Sequence, residues 1–201
     1  MFAFNALFLL GIERFLYGYI YHFPLSFKAL CDGPLKPLLD YSSGLYWKAA
    51  QNLGVVIKVF QFGVVGYDML SREAIPWLSD TPALIIIGLV LLGAGQLLNA
   101  ATFKAIGGIG VYYGSQLGYT VPWCNGFPYN LGIGDPQYWG VVFTIWGFYL
   151  VLTPTVNLFS RHFLIAWLET FWYVVSMKLL EDTKNGGAVL ELMGLKVKDK
   201  K

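Results

Sequence analysis

Long apolar runs separated by short polar breaks dominate this chain. Residues 81–103 and 136–160 contain no charged side chain, and each run is longer than the ~20 residues with which a helix crosses a bilayer. Residues 45–70 are apolar apart from Lys48, Lys58 and Asp68 and predict a first spanning helix with Lys48 near one membrane face. Lys58 falls at mid-depth, where an ammonium must snorkel or pair inside a bundle. Asp80-Thr81-Pro82 predicts a helix start, with an N-cap residue and a proline in the first turn. That second helix runs on through IIIGLVLLGAGQLLNAATFKAIGG. A third is predicted over 137–152, stopped by Thr153-Pro154-Thr155, and a fourth over 156–180, antiparallel to it. Gly110, Gly114 and Gly118 recur at helical spacing and predict a small-residue face for close helix contact.

The first residues, MFAFNALFLLGIERFLYGYIYHF, lack the basic n-region and small-residue cleavage site of a removable signal. Glu13 and Arg14 interrupt them, which leaves an uncleaved anchor or, preferred here, a helix lying partly in the interface. Gly33, Pro34 and Pro37 are expected to break any helix over 31–43. The pattern is that of an all-α polytopic membrane bundle of four clear spanning helices plus this N-terminal one. It forms a single domain over 1–201: N-terminal helices (1–79), a core (80–182) and a basic tail (183–201).

Composition sharpens this picture. Of 201 residues, 56% are apolar and 13% charged, against roughly 25% charged in soluble domains; mean hydropathy is +0.55. A net charge of +2 gives no footprint for nucleic acid. Lys196, Lys198, Lys200 and Lys201 form the only basic cluster, so the tail is expected on the cytosolic or equivalent side. Cys31 and Cys124 lie far apart without CxxC spacing or neighbouring histidines, so neither a disulfide nor a metal site is expected.

The segment 126–140, GFPYNLGIGDPQYWG, is too rich in Gly and Pro to span a membrane and too aromatic for an ordinary loop. Irregular backbone at membrane depth survives only against protein or a lined cavity, so chemistry is expected there. Glu181 and Asp182 follow the last helix, where acids oppose the macrodipole; such mismatches occur at functional sites. The bland alternative is an exposed pair neutralised by Lys178 and Lys184. Gly93-Ala94-Gly95 lies inside a helix and is not a dinucleotide fingerprint; packing of a neighbouring helix is its commoner role, close approach of a ligand the other. Glu169 and His162 share one face of the final helix, and a buried ionisable residue there suggests function or a structural hydrogen bond. Tyr129, Tyr138 and Trp139, with Tyr112, Tyr113, Tyr119 and Trp123, form either a cation–π lining or an interfacial aromatic belt.

Taken in order, Asp80-Thr81-Pro82, Gly93-Ala94-Gly95, the Gly110/Gly114/Gly118 series, FPYN at 127–130, DPQYWG at 135–140 and Glu181-Asp182 resemble the phosphatidylethanolamine N-methyltransferase family. That family belongs to a wider group with isoprenylcysteine carboxyl methyltransferase. The resemblance covers about half the chain, 80–182, with a looser similarity around Leu45-Tyr46-Trp47. It implies methylation of an ethanolamine phospholipid head group by S-adenosylmethionine in an endoplasmic reticulum or mitochondrial membrane. The cofactor motifs carry over to Gly93, Ala94 and Gly95 and to Glu181 with Asp182, the latter standing where the family usually has Glu. Tyr129, Tyr138 and Trp139 are expected to line the substrate, and Glu169, His162 and Tyr138 are the candidates for the general base. Two other readings stand beside this one. A non-catalytic methyltransferase-like subunit of a membrane complex is the first. A prenylcysteine carboxyl methyltransferase is the second, although Gly134-Asp135 replaces the Arg-His expected there.

Overall fold

A computed structural model describes residues 2–71, 79–153 and 157–181. Among them every regular element is helical: α1 (Phe2–His22), α2 (Pro24–Asp32), α3 (Lys36–Tyr41), α4 (Tyr46–Leu70), α5 (Pro82–Val111), α6 (Pro136–Leu152) and α7 (Leu164–Val175). Short 3-10 turns occupy Tyr129–Leu131 and Arg161–Phe163, and a π turn, Ser176–Leu180, prolongs α7. Among the described residues three stretches are long and apolar enough to cross a membrane: α4, α5 and Arg161–Leu180 around α7. α6, at 17 residues, lies at the short end of the ~17–25 that suffice. The helical bundle expected from the pattern is present, and α4, α5 and α6 begin within one residue of their predicted starts.

Glycine lets α5 and α6 touch backbone to backbone. Gly95 lies on Gly140, where a Cβ would stand 2.5 Å from the Gly140 carbonyl oxygen; two turns away Gly147 lies on Gly88, with 2.6 Å to that carbonyl. The close-contact face is therefore Gly88/Gly95 against Gly140/Gly147, and not the expected Gly110/Gly114/Gly118 stripe. α5 breaks at Gly107 (φ 65°, ψ 172°), and Tyr113 (φ 58°) leaves the helical region just after it. Gly114 and Gly118 then fall in turns.

The N-terminal helix is not peripheral. Leu10 and Ile20 are fully buried, Gly11 accepts the Trp172 ring and Gly18 meets Leu180, and Trp172 Nε1 donates to the Leu7 carbonyl at 2.8 Å. α1 thus runs parallel to α7 along the bundle. It runs antiparallel to α4, where Gly54 receives Tyr17 and Gln61 Nε2 donates to Leu10 O at 2.9 Å. Burial of this apolar surface outweighs an interfacial position because Glu13 and Arg14 find partners inside.

Two further expectations change. Gly33 ends α2 as predicted, but Pro37 sits in the first turn of α3, where its missing N–H costs nothing. The last helix starts at Leu164 and not at 156: Asn157 Oδ1 accepts from Phe159 N at 3.0 Å, a local bond that competes with helix. The turn at Pro154 and Thr155 and the tail lysines lie outside the described residues.

Candidate active site

The ends of α1, α5, α6 and α7 and the start of α4 converge at one end of the bundle. Each chain segment there is placed by a local break. Asp135 adopts a left-handed conformation (φ 49°, ψ 63°) and Pro136 opens α6, so Tyr138, in the first turn, projects inward. At the end of α7 the π turn closes with Glu181 N donating to Ser176 O at 2.9 Å, which swings Glu181 into the bundle.

There Glu181 Oε1 accepts two hydroxyls, from Tyr138 at 2.5 Å and from Ser176 at 2.5 Å. Tyr138 Oη also lies 2.9 Å from Tyr113 Oη. Burial raises the Glu181 carboxyl above its ordinary value, and the Ser176 and Tyr138 hydroxyls pull it part of the way back. Burial, reinforced by the Glu181 charge, pushes the Tyr113 hydroxyl well above its usual range, so it stays a neutral donor. An exposed acidic pair is therefore not what Glu181 forms. Lys178 acts instead on Asp135, whose carboxyl burial raises. Asp182 lies outside the described residues.

Two cavities meet at Tyr138. The smaller, ≈ 130 Å³, is bordered by Glu181, Tyr113, Tyr129, Asp135 and Gly110. The larger, ≈ 440 Å³, is bordered by Arg14, Lys58, Tyr17, Tyr112 and Tyr173, and its size is within the roughly 300–1,000 Å³ of ligand sites. Val111, Gln137 and Tyr138 line both. A third, mostly apolar cavity of ≈ 340 Å³ continues past Lys58 and Asn99 to Glu169 and Ile145.

The structure brings together only part of the expected set. Tyr129, Tyr138 and Glu181 share the small cavity. Glu169 is buried on α7 but faces the apolar cavity with Lys58. His162 occupies the 3-10 turn at the opposite end of that helix, roughly 28 Å from Glu181 at ~1.5 Å per residue. Trp139 packs on Phe143 with 6.0 Å between ring centroids. Gly95 is a helix-packing glycine, while a Cβ on Gly93 would meet nothing within 4 Å. Trp123 is 80% exposed, as a belt residue is.

Missing from the sequence reading is the N-terminal contribution. Glu13 Oε2 pairs with Arg14 Nη2 at 2.7 Å and with Lys58 Nζ at 2.6 Å, which settles how Lys58 is accommodated at depth. The Arg14 guanidinium lies over the rings of Tyr173, Tyr17 and Tyr138 at 4.4, 4.9 and 5.0 Å. A Glu-Arg dipeptide in the middle of an apolar helix was the signal that marked this site.

Comparison with known proteins bears on what this end of the bundle is for. Residues 83–184 match the family described as phospholipid methyltransferase, nearly the segment 80–182 delimited by motif order. Phosphatidyl-N-methylethanolamine N-methyltransferase of Arabidopsis thaliana is 38% identical over 78 residues, 39% of this chain and 46% of that protein. Phosphatidylethanolamine N-methyltransferase of Homo sapiens is 31% identical over 148 residues, 69% of this chain and 68% of that protein. The chain thus spans about half the length of the first relative and two thirds of the second. No solved structure matches it. The matched segment contains both glycine-packed helices, the Tyr138 turn and Glu181, and the chain belongs to the phospholipid methyltransferase family.

Proposed function

We propose that this chain methylates the amine of an ethanolamine phospholipid at the membrane boundary, with S-adenosylmethionine as methyl donor. The observation that carries the reading is the inward turn of Glu181 onto Tyr138, inside the family-matched segment and at the wall between two cavities. The residues suit the donor chemically. Glu181 accepts from an ammonium or from ribose hydroxyls, and the faces of Tyr113, Tyr129 and Tyr138 suit a sulfonium. Gly93, Ala94 and Asp182 complete the proposed cofactor set, with Gly93 as the glycine whose backbone a ligand can approach and Gly95 holding the helix beneath it against Gly140.

S-Adenosylmethionine, when bound, supplies an electrophilic methyl group on sulfur. The protein's part is to hold a neutral amine in line with it, and positioning of this kind is worth up to ~7–11 kcal/mol. A substrate ammonium loses its proton more readily in a partly desolvated site. Of the three base candidates we take Tyr138: its hydrogen bond to Glu181 Oε1 supports a route by which the proton passes to that carboxylate, whose raised pKa makes it a better acceptor. Lipid tails remain in the bilayer, in an endoplasmic reticulum or mitochondrial membrane.

Membranes expressing the chain are incubated with radiolabelled S-adenosylmethionine and the labelled lipid is identified. Label in N-methylated phosphatidylethanolamine, abolished by Glu181→Ala, is expected. Label on a prenylated cysteine substrate instead, or no label and stable co-purification with a membrane complex, refutes the reading.

A further inference from the structure

We propose that Arg14 is the anion-binding pole of a seat for a zwitterionic ligand, opposite the cation-binding pole at Glu181. The inference rests on the methyltransferase reading for the ligand's identity; it adds a residue of α1 that lies outside the family-matched segment 83–184.

Arg14 is 3% exposed, yet its Nη1 has no hydrogen-bond partner among the described residues. Among the described residues its ion pair runs through Nη2 to Glu13 Oε2, and that same oxygen also serves Lys58. Two cations therefore share one carboxylate oxygen. Glu169, the other acid beside Lys58, makes no ion pair among the described residues. Three tyrosine rings stand 4.4–5.0 Å from the guanidinium carbon, and they hold the charge through their π faces. A buried charged donor left without an acceptor is costly, and departures of this kind are expected where a ligand completes the set.

The two poles stand on either side of one side chain. The Tyr138 ring meets Arg14 at 5.0 Å, and its hydroxyl donates to Glu181 at 2.5 Å. The cavity bordered by Arg14 and that bordered by Glu181 share the Tyr138 wall. A ligand reaching past Tyr138 would present an ammonium to Glu181 and an anion to Arg14, and a guanidinium fork matches a carboxylate or a phosphodiester equally well. Two sources present that chemistry to such an enzyme: the amino-acid end of the methyl donor and the phosphoethanolamine head of the lipid.

The purified full chain in detergent micelles separates them. Calorimetry compares S-adenosylhomocysteine with its decarboxylated analogue, and fluorescence compares acyl-labelled phosphatidylethanolamine with labelled diacylglycerol, in the unsubstituted protein, Arg14→Gln and Arg14→Lys. If the carboxylate is the anion, decarboxylation weakens binding about tenfold or more in the unsubstituted protein and has no effect in Arg14→Gln. If the phosphodiester is the anion, Arg14→Gln loses about tenfold for phosphatidylethanolamine, keeps its affinity for diacylglycerol and leaves S-adenosylhomocysteine unchanged. Either outcome supports the seat. Phosphatidylethanolamine and S-adenosylhomocysteine both binding Arg14→Gln within about twofold of the unsubstituted protein overturns it. Should Arg14→Gln fail to fold, Arg14→Lys decides, because it keeps the charge against Glu13 and loses the fork: weaker binding of one of the two ligands supports the seat, and unchanged binding of both overturns it. A chain that methylates no lipid yet binds S-adenosylhomocysteine through Arg14 retires the methylation reading alone. Methylation with both affinities indifferent to Arg14 retires the seat alone.

Discussion

Gly93 and Gly95 lie one residue apart, and alanine at each is expected to act in opposite directions. At Gly95 the new methyl would stand 2.5 Å from Gly140 O, 2.5 Å from Thr144 Oγ1 and 2.8 Å from Thr144 N. Two of these atoms are backbone, so no rotamer relieves the contact. Reaching an ordinary carbon separation of ~3.5 Å requires α5 and α6 to part by about 1 Å. Overpacking of this kind costs about 1–3 kcal/mol. At Gly93 the same methyl meets nothing within 4 Å, and replacing a mid-helix glycine gains about 0.5–1 kcal/mol. With roughly 2–4 °C of melting temperature per kcal/mol at this chain length, Gly95→Ala is expected to melt several degrees lower and Gly93→Ala slightly higher. Tryptophan fluorescence during thermal unfolding in detergent reads both, and calorimetry with S-adenosylhomocysteine reads binding. The proposed cofactor role adds that Gly93→Ala weakens that binding although the fold is intact. Equal melting temperatures for Gly95→Ala and the unsubstituted protein would refute the helix contact described for it.

Other outcomes follow from the same geometry. Tyr138→Phe removes the hydroxyl leading to Glu181 and is expected to slow lipid methylation about 100-fold; an unchanged single-turnover rate rules out that path. Ser176→Ala deletes a hydrogen bond that favours the ionised Glu181. Its carboxyl, already raised, rises further, and because a cationic ligand needs the ionised form, affinity should be lost at a higher pH on acidification. An acid limb that stays put or moves to lower pH counts against Glu181 as the cation pole. Lys58→Met leaves Glu13 paired with Arg14 but deletes the hydrogen bonds of Lys58 to Gln61 and Tyr173 and is expected to cost about 1–2 kcal/mol, read as a lower melting temperature. Trp123→Ala, at a position 80% exposed, should leave ligand affinity within about twofold, since surface changes away from a site are worth ~0.5 kcal/mol or less; a larger loss would return Trp123 to the site.

Features that depend on local pattern were legible in the chain before any folding. Charge-free runs placed α5 and α6, the break at Gly33 and the Thr81-Pro82 start emerged as read, and motif order delimited the family segment within a few residues. The approach of Glu181 to Tyr138 was a different matter. Neither the π turn that aims Glu181 inward nor the left-handed Asp135 that aims Tyr138 leaves a periodic trace, because each departs from the helix over five residues or fewer. Gly95 packs as its helical setting suggested, but the Gly110/Gly114/Gly118 series was misassigned for a related reason: helical spacing names residues that share a face only while the helix lasts, and α5 breaks at Gly107. Only the tertiary structure decided that α1 belongs to the site. Its Glu13-Arg14 pair is distant in sequence from Lys58, Tyr138 and Tyr173, and burying those charges is tolerable solely because packing brings their partners to the same depth.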